Sequence, residues 1–234
     1  MALQTPVAGE RRSRAITRWR YALLLVCTLL SLAVQGAVPP GPWHEVVVTA
    51  LAAASVLLAF RAGRLDRRLQ LLAAVLAGTA LTLSVLHAVG GGVGEGAART
   101  MNAVLVAFGP PAVGVGVVRE LRMSGRVRVE AVMGVLSLYI LIGMFFAFVY
   151  GAVDRLGSGQ VFAGGEAATV STCLYFSFTT LSTVGFGDVV ARTDTGHTLA
   201  VFEALAGQIY LVTVVSVLVS NLGRPAGRGA RTEP

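Results

Sequence analysis

The sequence predicts an all-α integral membrane protein, and three observations carry the prediction. Hydrophobic residues make up 55% of the 234 and charged residues only 13%, more apolar material than a water-soluble domain of this size can bury. The apolar residues gather into six long segments, at about 21–38, 43–60, 69–90, 101–118, 131–151 and 198–222. The basic residues sit almost entirely between those segments, on alternate sides. A helix rises about 1.5 Å per residue, so each segment is long enough for a hydrocarbon core of roughly 30 Å. In lipid the backbone must satisfy its own hydrogen bonds, which makes these segments helices.

Charge fixes the expected orientation. All 19 basic side chains are Arg. Arg11, Arg12, Arg14, Arg18 and Arg20 precede the first segment, and Arg61, Arg64, Arg67 and Arg68 follow the second. Arg119, Arg122, Arg126 and Arg128 follow the fourth, and Arg224, Arg228 and Arg231 follow the sixth; only Arg99, Arg155 and Arg192 fall on the other side. This positive-inside pattern places both termini in the cytoplasm of a plasma-membrane protein. It also accounts for the net charge of +7 without a nucleic-acid partner. The Arg clusters read as topology signals first and anionic-lipid contacts second. Trp19, Tyr21, Trp43 and Tyr150 stand at segment ends, where interfacial aromatics belong. The first segment is too long for a signal peptide and is expected to be retained. Cys27 and Cys173 lie far apart in the topology, so no disulfide is expected. His44 and His87 are too isolated for a metal site, and no cofactor is implied. The membrane segments hold no paired acids, His cluster or activated serine, which argues against an enzyme.

Between the last two apolar segments lies Thr179-Thr180-Leu181-Ser182-Thr183-Val184-Gly185-Phe186-Gly187-Asp188. Its run TVGFGD resembles the selectivity filter of the potassium channel pore-domain family, whose usual filter reads TVGYG or TVGFG. A dehydrated potassium ion needs a shell of oxygens, which rings of backbone carbonyls supply when several chains aim them at one axis. The resemblance implies that carbonyls of Thr183, Val184, Gly185 and Phe186 coordinate K+, with the Thr183 hydroxyl completing the innermost site. Gly185 and Gly187 can take the positive φ that such a strand requires. Phe186 stands where Tyr is commoner and lacks its hydroxyl. Thr179 occupies a position where some members carry a Glu that pairs with the Asp after the filter, so Asp188 needs another partner or faces water.

The family's architecture maps onto residues 131–222. Ala131 to Gly151 is the expected outer helix, and Gly157 to Gly165 an extracellular turret. Ser171-Thr172 can cap a short re-entrant pore helix ending near Ser182, whose C-terminal end favours a cation. Tyr175 and Phe176 lie where relatives buttress the filter, beside Thr179 and Thr180. Thr198 to Leu222 is the expected inner helix. Gly207 has the spacing of the family's hinge glycine, with close helix packing as the alternative reason for a glycine there. Gln208, Leu211, Val215 and Val219 follow at helical spacing and are expected to face the cavity, Val219 as a hydrophobic constriction. Glu203, the one acid within this helix, is expected behind the filter, bonded to the pore helix in place of the acid missing at Thr179.

Four segments before the pore give the six-helix layout of voltage-gated channels, but 101–118 has no Arg inside it. Gating charge is worth roughly 2.3 kcal/mol per charge per 100 mV, so this segment cannot sense voltage in that way. Its Gly109-Pro110-Pro111 should kink it. The expected organisation is a cytoplasmic N-terminus (1–20), a four-helix bundle (21–118), a cytoplasmic linker (119–130), the pore domain (131–222) and a disordered Gly- and Arg-rich tail (223–234). One chain supplies one filter loop, which implies a homotetramer. The leading expectation is a potassium-selective channel. A weakly selective cation channel, a potassium transporter and a membrane sensor with a vestigial pore are the alternatives.

Overall fold

In a computed structural model the chain is helical, with no β-strand among the described residues, which exclude 1–7, 38–41, 64, 91–99, 102–103, 116–128, 158–159 and 223–234. α1 (Ala8–Ala37), α2 (Pro42–Ala62) and α3 (Arg67–Ala88) form the front of the molecule. A short helix, α4 (Val104–Val115), follows. α5 (Val129–Leu156), α6 (Val170–Leu181) and α7 (Asp194–Leu222) complete it. By length and composition Trp19–Gly36, Arg67–Ala88, Val132–Leu156 and Asp194–Val214 can cross a membrane, while the apolar stretches Val46–Ala62 and Val104–Val115 are shorter. The protein is an all-α membrane protein.

On α3 small and hydroxylated residues make the interhelical contacts, as expected where lipid removes the hydrophobic incentive for helices to associate. α3 buries Ala73, Ala77, Ala80 and Ser84, one face at alternating steps of four and three. Its leucines Leu69, Leu71, Leu72 and Leu86 point outward. The buried hydroxyls of Thr49 on α2 and Ser84 on α3 share a hydrogen bond of 2.8 Å. Arg20 donates to the Arg61 carbonyl at 3.2 Å, bringing the basic start of α1 beside the basic end of α2.

α4 carries a turn at Phe108, immediately before Gly109-Pro110-Pro111. The two prolines lack the N–H groups that would continue the ladder. Phe108 N–H closes on the Leu105 carbonyl at 3.3 Å, a three-residue turn. No basic residue lies in α4; Arg119, Arg122 and Arg126 fall outside the described residues.

The front helices are not a separate body. Tyr21, Leu24, Val56, Leu105 and Val113 share a core with Leu141 of α5 and with Tyr210 and Val214 of α7. Val48, Ala52 and Val106 join a second core with Met144, Phe148 and Tyr150 of α5 and Phe176 of α6. Two of the four aromatics expected at the interface are therefore interior. Trp19 and Trp43 are exposed, but Tyr21 and Tyr150 are buried. Tyr150 is inside because its hydroxyl has a partner across the helix interface. Cys27 and Cys173 are not joined in a disulfide.

Candidate pore site

α6 starts two residues earlier than the Ser171-Thr172 pair suggests. Thr169 is its cap, its side-chain oxygen accepting the Thr172 N–H at 3.1 Å. A hydroxyl in an extended residue just before the first turn satisfies one of the helix's orphan donors. The Thr172 hydroxyl bonds that of Thr169 at 2.8 Å.

At its other end α6 gives way to the filter residues by folding their N–H groups back onto its last carbonyls. Ser182 N–H bonds the Phe178 carbonyl, Thr183 N–H that of Thr180 at 2.9 Å, and Val184 and Gly185 N–H both reach the Thr179 carbonyl, at 2.9 and 3.1 Å. The Thr179 hydroxyl bonds Phe176 O at 3.0 Å. The backbone then alternates in handedness: φ is +59° at Thr183, +50° at Gly185 and +81° at Gly187, with Val184 and Phe186 on the ordinary side. Alternation of this kind turns successive carbonyls toward one side of a strand. Positive φ at the glycines is easy. At the β-branched Thr183 it is strained, and nothing in the residue type announces it.

Beside the strand, Tyr175 lies parallel to Phe186, centroids 6.1 Å apart and planes 8° apart. Its hydroxyl donates to Asp188 Oδ2 at 2.7 Å, and Val189 N–H donates to Oδ1 at 3.0 Å. Asp188 thus has a tyrosine partner where a carboxyl pairing is absent. The Tyr175 hydrogen bond, with the Val189 N–H, holds the Asp188 carboxyl below the usual carboxylate range. The missing hydroxyl of Phe186 is in effect relocated to its neighbour on α6. Tyr175→Phe is expected to loosen the strand at its outer end and to reduce steady current severalfold by speeding decay during sustained opening, as measured in single-channel records.

Behind α6 a ring cluster stiffens the outer end. Phe176 meets Tyr150 edge-on at 5.0 Å and Phe162 at 5.1 Å. Phe162 pairs with Ala191 in an isolated antiparallel bridge, flanked by hydrogen bonds from Ala163 N–H to the Val190 carbonyl and Arg192 N–H to that of Val161. The segment before α6 is thereby stitched to the segment after the filter.

α7 supports the strand from inside the bundle. Glu203 is fully buried. Its Oε2 accepts from the Tyr150 hydroxyl of α5 at 2.8 Å, and its Oε1 meets the Ser177 hydroxyl of α6. Neither Tyr150 nor Ser177 stood out in the sequence as a partner, because contacts between helices leave no local pattern. The one available signal was an acid in a membrane helix, which demands donors somewhere. α7 runs through Gly207 without a break. A Cβ there would lie 2.1 Å from the Leu181 carbonyl oxygen, so the glycine is required for α7 to touch the end of α6. Leu211 is exposed, as is Gln208. The side chains of Val215 and Val219 lie outside the described residues.

Comparison with known proteins finds matches over the same part of the chain. A family profile described as ion channel matches residues 134–224. The calcium-activated potassium channel slowpoke of Drosophila melanogaster is 29% identical over 87 residues, 37% of this chain and 7% of that protein. The inward rectifier potassium channel Kirbac3.1 of Paramagnetospirillum magnetotacticum is 27% identical over 89 residues, 38% of this chain and 28% of that protein. The chain therefore spans less than a third of the length of these two relatives.

Proposed function

We propose, from the premise that residues 134–224 are a pore segment of the potassium-channel family, that the chain is one subunit of a potassium-selective channel. The observation that carries the reading is the alternating φ along Thr183–Gly187 in a strand whose N–H groups are anchored on α6. Carbonyls of Thr183, Val184, Gly185 and Phe186 supply the oxygens that replace ion hydration, and the Thr183 hydroxyl closes the innermost site. The C-terminal end of α6 adds its partial negative charge.

One strand offers only a fraction of a coordination shell, so the working unit is a homotetramer around the filter axis. Two exposures support assembly. Phe186 is 69% exposed on an isolated chain, and α7 presents Val201, Phe202, Leu205, Ile209 and Val212 outward. Conduction is passive: K+ moves down its gradient through the plasma membrane, with the Arg-rich ends of α1 and α2 in the cytoplasm against anionic lipid. Voltage does not gate it through an arginine helix. Residues 1–20, 21–118, 119–130, 131–222 and 223–234 act as N-terminus, collar, linker, pore domain and tail.

The test is the reversal potential of the purified chain in a planar bilayer with KCl on one side and NaCl on the other. A reversal displaced far toward the potassium equilibrium potential is expected. A reversal near zero identifies a weakly selective cation pore, and the absence of current under every stimulus tried identifies a vestigial one.

A further inference from the structure

Three polar contacts link Tyr150, Glu203, Ser177 and Gly143 in a chain, and they cannot all be hydrogen bonds unless Glu203 brings a proton. The Tyr150 hydroxyl reaches Glu203 Oε2 at 2.8 Å. Ser177 Oγ meets Glu203 Oε1, and the same Ser177 Oγ lies 2.7 Å from the Gly143 carbonyl oxygen of α5. A tyrosine has one hydroxyl hydrogen, a serine has one, and a backbone carbonyl has none. An ionised carboxylate adds none either, so two hydrogens would have to serve three short oxygen–oxygen contacts, all buried. One contact would then be two lone pairs facing each other.

We infer that Glu203 works as a neutral carboxylic acid, a positioning residue that donates from Oε1 to Ser177 and ties α5, α6 and α7 together behind the filter. This inference rests on the pore reading above for its consequence, not for its chemistry. With the proton in place every contact has one hydrogen. Glu203 Oε1–H donates to Ser177 Oγ, Ser177 donates to Gly143 O, and Tyr150 donates to Glu203 Oε2. The chain of donors runs in one direction and ends on a carbonyl. The surroundings favour the neutral form: no cationic side chain among the described residues pairs with Glu203, and an uncompensated charge inside a membrane is costly. The titratable groups that face it are Tyr139 and Tyr150 of α5, with the Cys173 thiol of α6 beside Tyr150 and Tyr210 of α7 beside Tyr139. None of these supplies a positive charge. Loss of the proton converts the donor at Oε1 into an acceptor, and Ser177 must then release either Gly143 or Glu203. The anchor of α6 weakens as pH rises.

Two readouts test the assignment on the full-length protein in lipid nanodiscs and bilayers. In the infrared difference spectrum of wild type minus Glu203→Gln at neutral pH, a protonated-carboxyl carbonyl band belonging to Glu203 is expected. Carboxylate bands in its place would overturn the inference, whether or not the protein conducts, so its failure is separable from that of the channel reading. In current recordings, Glu203→Gln, whose amide can donate to Ser177 and accept from Tyr150, is expected to recover at least about tenfold more current than Glu203→Ala, the weight of a buried hydrogen bond left unmade. Wild-type current should fall toward alkaline pH while Glu203→Gln stays flat. Equal loss in Glu203→Gln and Glu203→Ala, with both still tetrameric by size exclusion, would show that the negative charge was needed and refute the neutral acid.

Discussion

Gly207→Ala is expected to abolish conduction while leaving the front helices folded. The added methyl would sit 2.1 Å from the Leu181 carbonyl oxygen, 3.0 Å from its carbonyl carbon and 3.1 Å from its side chain. Overpacking a closely fitted interior typically costs roughly 1–3 kcal/mol, and a backbone obstacle cannot rotate away as a side chain can. The strain is relieved by parting α7 from the end of α6. Leu181 is two residues before Thr183, so the separation enters the filter directly. It also pulls Glu203, one helical turn earlier on α7, away from Ser177. The expected outcome is loss of current with retained helix content, measured by bilayer recording and circular dichroism on the same preparation. A variant that conducts like wild type would show that α6 and α7 need not touch there. It would also return Gly207 to the role of a hinge, which a flexible glycine could fill without any close neighbour.

Gly185→Asp is expected to have an effect as large by a different route. Gly185 sits at φ +50°, where a side chain pays a steric cost of roughly 1–2 kcal/mol. There is open space around it in the single chain, with nothing within 4 Å of an added Cβ, so the subunit itself will fold. The damage falls on the assembled pore. In the homotetramer proposed above, the carbonyl rotates out of line as φ returns to its ordinary range, and four carboxylates crowd one axis. Discrimination between K+ and Na+ should vanish, the reversal potential in opposed KCl and NaCl moving to zero if any current remains. Retention of K+ selectivity in this variant would place the permeation path elsewhere in the molecule.

The contrast between these sites shows what is readable from residue order. A filter strand needs particular residues in succession, because each carbonyl direction depends on one φ, and the glycines that permit it are written locally. Periodic apolar segments likewise reveal membrane helices, since lipid acts on every residue of a span alike. Thr183 at φ +59° was invisible: the strand imposes that conformation against the preference of the residue. The cap moved from Ser171-Thr172 to Thr169, a change between neighbouring hydroxyls that only backbone direction can decide. Tyr150 looked like a belt aromatic because it stands at a segment end, and became an interior ligand of Glu203 through a partner 53 positions away in the chain. The close approach at Gly207 required knowing which carbonyl would lie opposite. The tyrosine partner of Asp188 and the partners of Glu203 and Gly207 belong to α5 or α6, and pairings of that kind are set by packing.

The order of synthesis gives the α6–α7 contact a further meaning. The filter residues leave the ribosome before α7 does, and domains mature from the N-terminus as they are made. Yet Glu203 and Gly207, which hold α6 in place, belong to α7. During translation the strand 183–187 therefore exists for a time without its keeper, in a conformation that Thr183 does not favour alone. Until α7 has inserted, the filter strand of a newborn subunit is held by its bonds to α6 alone, so the α6–α7 contact is a late step in the making of each subunit.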